Sequence, residues 1–158
     1  MISIPDVTRR ALLLSATLAT LGVIACGGDD PTPPEEEPEI ATVQITSGTS
    51  TVQFSPPTAA QSPGPLTLRV SQANAVTVRF LGANGQDEPV IAAARDEFEL
   101  RVTAPTGWTF ARTGGSGASF TATLTPTQTG TAAFTLSLFA LDHGHNEFQR
   151  DVSVTVTQ

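Results

Sequence analysis

The sequence predicts an all-β fold: one domain, residues 40–158, built as an antiparallel two-sheet sandwich. Three observations carry that expectation. Apolar and polar residues alternate at period two in one segment after another, the pattern of strands with one face in a core and one in water. Between these segments lie clusters of proline, glycine and asparagine that read as turns. No segment has convincing helical periodicity, and Val90 to Arg95 is the one weak candidate. About eight short strands at this spacing argue a sandwich.

Taken in order, Thr42–Thr46, Thr51–Ser55, Leu66–Ser71 and Ala75–Leu81 all alternate. Pro56-Pro57, Pro63-Gly64-Pro65 and Asn84-Gly85 break the chain around them. In the next segment Phe98, Leu100 and Val102 form the inward set, and Glu97, Glu99, Arg101 and Thr103 the outward set. Thr113-Gly114-Gly115-Ser116-Gly117 reads as a flexible loop, followed by a strand at Ser119–Thr125 and a second loop from Pro126 to Gly130. Thr131–Leu141 has apolar residues on both faces near its end, at Leu138, Phe139 and Leu141, which predicts a central strand. In the last strand Val152, Val154 and Val156 point one way and Ser153, Thr155 and Thr157 the other. Abundant valine and threonine suit a pleated surface. Trp108 and Phe110 are expected to plug one end of the sandwich. A domain of this length buries a core without needing disulfides or metal.

The run Gly130-Thr131, Phe134 to Leu138, Asp142, a turn with Gly144, and Val152-Ser153-Val154-Thr155-Val156 resembles the last hairpin of bacterial immunoglobulin-like and PKD-like domains. The likeness covers roughly residues 118–157. It implies an immunoglobulin-like sandwich. The chain departs from antibody-type domains in lacking a Cys–Trp–Cys core and any tyrosine for a tyrosine corner. Such a fold leaves function open.

Two segments precede the domain. Arg9 and Arg10 are followed by an uncharged run from Ala11 to Ala25, then Cys26. A basic region followed by an apolar one is the pattern of a secretory signal. The run is too short, and too diluted by Ser15, Thr17 and Thr20, to make a good spanning helix. Val23-Ile24-Ala25-Cys26 resembles the lipobox of bacterial lipoproteins. The resemblance implies cleavage between Ala25 and Cys26 and acylation of Cys26, which would anchor the mature chain to a membrane through several acyl chains. Thr8 to Leu13 also resembles, in part, the twin-arginine export motif, while fitting a general export signal as well. Cys26 is the only cysteine, so no intramolecular disulfide forms. Residue 27 is glycine rather than aspartate, so the enterobacterial inner-membrane retention signal is absent. The expected location is the bacterial cell envelope, lipid-anchored to a membrane, with the outer membrane, on its periplasmic or surface face, favoured over the inner.

Residues 26–39 are the expected tether. Gly27 to Glu39 holds four prolines and six carboxylates with no basic or large apolar residue. Nothing there can bury surface to offset chain entropy, and proline with like-charge repulsion extends it. From residue 40 onward six arginines face eight carboxylates, leaving the domain near −2. No basic stripe or aromatic cluster points to nucleic acid.

The chemistry concentrates in Asp142-His143-Gly144-His145-Asn146-Glu147, which holds both histidines of the chain. As a hairpin tip, this stretch needs Gly144 at positive φ, with Asp142 and Asn146 bonding turn amides. As a metal site, His143 and His145 would share a zinc or copper ion, with Asp142 or Glu147 as a third ligand and Asp96 or Glu97 as a fourth. Asp87-Glu88 and Asp96-Glu97 raise calcium, but no recognised calcium-loop spacing is present. Gly114 to Ala118 is not a nucleophile elbow, since the closing glycine is missing. The expectation is a non-catalytic, lipid-anchored interaction module for an envelope protein or glycan. The alternative is a metal-binding lipoprotein using the histidine loop.

Overall fold

The computed structural model describes residues 36–158. The expected signal peptide at 1–25, the cleavage and lipidation site at Ala25 and Cys26, and most of the tether lie outside the described residues.

The chain forms β1 (Thr42–Ser47), β2 (Ser50–Phe54), β3 (Leu66–Arg69), β4 (Asn74–Leu81), α1 (Pro89–Ala93), a 3-10 turn (Arg95–Glu97), β5 (Phe98–Thr103), β6 (Thr109–Ser116), β7 (Ser119–Thr125), β8 (Gly130–Ala140) and β9 (His145–Thr157). Five strands make one sheet in the order β2-β1-β4-β7-β6, and four make the other in the order β3-β9-β8-β5. The fold is the all-β sandwich that the alternation predicts. Leaving out β2 and β3, the orders are those of strands A-B-E-D and G-F-C of an immunoglobulin constant-type sandwich.

One pairing departs from the antiparallel expectation: β3 runs parallel to β9, with Leu66 opposite Val154 and Leu68 opposite Val156. After the β1–β2 hairpin the chain crosses to the other sheet through residues 55–65, so no tight turn dictates its direction there. Gln61 prepares the crossing. Its side-chain amide donates to Ser153 O and accepts from Ser153 N, as an extra strand residue would.

A second departure is β6. The glycine-rich stretch expected as a loop is the end of an edge strand and its turn. It carries no alternation because nearly every residue is exposed, and Thr113 is an extra residue between the pairs Arg112–Ala122 and Gly114–Thr121. Gly115 has φ +135°, and a Cβ there would meet Ser119 O, Arg95 Nη2 at 2.6 Å and Phe120 Cα at 2.9 Å. A bulge and the charge of Arg112 blunt this edge against further strand pairing.

The core is the shared inner face of both sheets. Phe54, Phe80 and Phe120 of the first sheet and Phe148 of the second meet in edge-on pairs, with Phe148 5.8 Å from Phe54 and 5.9 Å from Phe80. Each such pair adds roughly 0.5–1.5 kcal/mol to area burial. Trp108 and Phe110 are half-buried against this core. As a central strand, β8 lies between β9 and β5. Its outward Phe139 is covered by the Arg101 guanidinium, 3.4 Å from the ring centre. Leu141, beyond the strand, is exposed.

Along one open side, Glu99 of β5 binds Arg101 at 2.7 Å and Arg112 of β6 at 2.9 Å, linking the edges of the two sheets. The hydrogen bond from Arg101, aided by the charge of Arg112 and opposed by partial burial, holds the Glu99 carboxyl below its ordinary value of 4.5. A depressed carboxylate stabilises the fold above its unfolded pKa and loses that contribution as pH falls through the folded one. The stability difference between wild type and Glu99→Gln should therefore be constant at neutral pH and shrink below about pH 4.5, as read from urea unfolding at several pH values. Gly115→Ala should lower the urea midpoint at unchanged slope, at a cost of about 2 kcal/mol or more from strain and overlap.

Candidate metal centre

The histidine loop is the hairpin between β8 and β9. A four-residue turn, Leu141 to Gly144, joins the strands, and β9 begins at His145. The hairpin tip is therefore shorter than the six residues expected. Gly144 has φ +70° and its amide donates to Ala140 O. Asp142 Oδ1 accepts from the His143 amide. The Asn146 side chain donates to Gln149 Oε1.

The β8–β9 ladder has one irregularity. Leu138 pairs Phe148, but Phe139 pairs Asn146, so Glu147 is an extra residue on β9 with no partner across the ladder. Such a bulge re-aims a side chain. Without it, alternation would set residues 146 and 148 on one face and send Glu147 to the other. With it, the buried Phe148 ring fixes one side of the bulge, and the Glu147 side chain lies against both histidines with only 10% of its surface exposed.

The resulting geometry is specific. Glu147 Oε1 lies 3.0 Å from His145 Nε2 and 4.0 Å from His143 Nδ1. One ligand atom from each of the three residues can be chosen so that all lie within 4.8 Å of one another. The two imidazoles stack, with centres 5.5 Å apart and planes inclined by 23°. A tetrahedral zinc ion with ligand bonds near 2.0–2.1 Å sets its ligand atoms about 3.3 Å apart. The 3.0 Å spacing of Glu147 and His145 lies near that value, and the 4.0 Å spacing of Glu147 and His143 exceeds it.

Glu147 Oε1 is buried and makes no well-formed hydrogen bond, although His145 Nε2 lies 3.0 Å away. A buried carboxylate oxygen in this condition costs free energy unless a cation or proton meets it. A metal ion shared with the two imidazoles would satisfy it. Asp142 stands elsewhere: its Oδ2 is 3.3 Å from Nε2 of His143, on the opposite side of the ring from the nitrogen that faces Glu147. There it could orient the ring of His143 if that histidine held a metal, a role carboxylates commonly take, with Glu147 as the candidate third ligand.

The B–C segment, between β4 and β5, packs beside this loop. Leu141 N donates to Glu97 O at 2.8 Å, which holds the 3-10 turn against the hairpin. Glu97 lines the same cavity as Asp142, His143 and Glu147, whereas Asp96 lines a separate one with Arg95 and Leu141. The other acidic pair is accounted for without calcium. Asp87 binds Arg79 at 2.6 Å, and the buried Glu88 caps α1 by accepting from Ile91 N.

No protein-family model matches the chain, and a search of curated proteins finds no match either. The site's case therefore rests on its own geometry. In metal-free protein, Glu147→Gln should raise stability by about 1 kcal/mol, because it removes a buried charge whose Oε1 makes no well-formed hydrogen bond. Urea unfolding in the presence of a chelator reads this directly.

Proposed function

We propose that the chain is a lipid-anchored protein of the bacterial envelope whose immunoglobulin-like domain is a binding module, and that its F–G hairpin binds zinc or copper. The anchor is proposed from the lipobox-like Val23 to Cys26 and the signal-like segment before it. The ligand is proposed from one observation above the others: Glu147 Oε1, buried and without a well-formed hydrogen bond, faces two imidazole nitrogens. Imidazole with carboxylate suits zinc and copper better than calcium or magnesium. Placement on a hairpin held by a rigid sandwich is the ordinary location of binding groups in such folds.

The proposal is tested on the chain from Gly27 to Gln158, which retains every strand of the sandwich. Calorimetric titration should give micromolar or tighter binding of zinc or copper. The double variant His143→Ala, His145→Ala should lose at least about a hundredfold in affinity, since it leaves a single carboxylate. Metal at a hundredfold excess over Kd should raise unfolding stability by about 2.7 kcal/mol. Binding should weaken in acid, because imidazole must shed its proton to ligate. Absence of binding, or equal binding by the double variant, overturns the metal assignment and directs attention to protein or glycan partners at the exposed strand edges.

A further inference from the structure

The three ligands of the hairpin leave one position of a tetrahedral ion unfilled. Resting on the metal reading above, we infer that Glu36, from the acidic segment ahead of β1, fills it, so that metal binding docks this segment onto the domain.

The segment's path carries the inference. Ala41 N bonds Leu81 O, so the chain enters β1 beside the end of β4, at the same end of the sandwich as the B–C segment and the F–G hairpin. From there residues 36–39 run along α1. Glu37 and Glu39 line only a cavity shared with Gly82 to Asn84 and the start of α1. Glu36 and Pro38 also line a second cavity, of about 390 Å³, which His143 and Glu147 line as well. Among the described residues of the segment, Glu36 is the carboxylate that lines this cavity with His143 and Glu147.

Electrostatics gives this arrangement its condition. Glu36, Glu97, Asp142 and Glu147 all border the second cavity, and no arginine is among its lining residues. Four carboxylates around one small space repel one another, and docking Glu36 there without a cation adds to that cost. A divalent ion reverses the sign. Glu36 and Glu97 both border the space from which the ion would draw its fourth ligand. Glu97 belongs to a turn fixed by its backbone bond to Leu141, whereas Glu36 belongs to a segment whose docking can follow the ion. By linkage, the ion then strengthens the segment's docking by the same factor as docking strengthens the ion's binding.

The test compares wild type, Glu36→Gln and Glu97→Gln in the chain from Gly27 onward; Glu36 lies outside every strand, so its replacement leaves the fold intact. Glu36→Gln should weaken zinc binding about tenfold or more, with Glu97→Gln close to wild type. Backbone order parameters of Glu37 and Glu39 should rise toward the rigid value of about 0.85 on adding zinc to wild type, and should not rise in Glu36→Gln. Unchanged zinc affinity in Glu36→Gln, or order parameters indifferent to zinc, overturns the coupling even if the histidines are required. Loss of affinity in Glu97→Gln alone assigns the fourth position to the B–C segment and overturns it too. Failure of wild type to bind zinc removes the site and the coupling together.

Discussion

The register of the β8–β9 ladder is the constraint on which the rest of the molecule depends. Over most of its length the pairing is regular, with Phe134 opposite Val152 and Leu138 opposite Phe148. That parity sends one side of each strand into the core, where a slip of a single residue would turn every apolar side chain outward. β5 reads its position from β8, and β3 from β9. Phe148 then reaches across to Phe54 and Phe80 and fixes the distance between the sheets. Just beyond Phe148 the parity is broken once, by Glu147, and the break lies next to the only histidines in the chain.

Much of this was legible in the residues. Period-two alternation locates eight of the nine strands among the described residues, because those strands each have one wet and one dry face. It misses β6, whose residues are exposed on both faces and whose glycines carry no side chain to alternate. It is also blind to direction: Leu66 and Leu68 bury the same face whether β3 runs with β9 or against it. The residues that converge at the hairpin could be named from composition, since two histidines and nearby carboxylates are the natural ligand set. What could not be read was which carboxylate faces the imidazoles. Glu147 gains that place from a ladder insertion that depends on the pairing partner rather than on local sequence. Glu36 was hidden for a different reason. A run of prolines and carboxylates reads as a solvated tether, and only the position of β1 at the hairpin's end of the sandwich brings it near the histidines.

The hairpin shows two opposed demands on one side chain. Burial beside Phe148 gives Glu147 a fixed position, which a ligand needs, and removes the water that would otherwise solvate its charge. The same burial leaves its charge poorly solvated. If the proposed ion binds there, the free energy withheld by that desolvation would return on binding. Asp142, on the outer nitrogen of His143, remains partly in water and meets no such conflict.

The place of β1 in its sheet has a mechanical consequence. β1 is hydrogen-bonded to β2 on one side and β4 on the other, both antiparallel to it. Tension applied ahead of residue 40, as the proposed anchor would apply it, therefore runs along the strand, with rungs on both flanks lying across the line of pull. Rungs loaded in that direction share the force and must yield together, where a strand peeled from one end would give them up singly. A domain held by its leading strand in this way resists being drawn apart by its own leash.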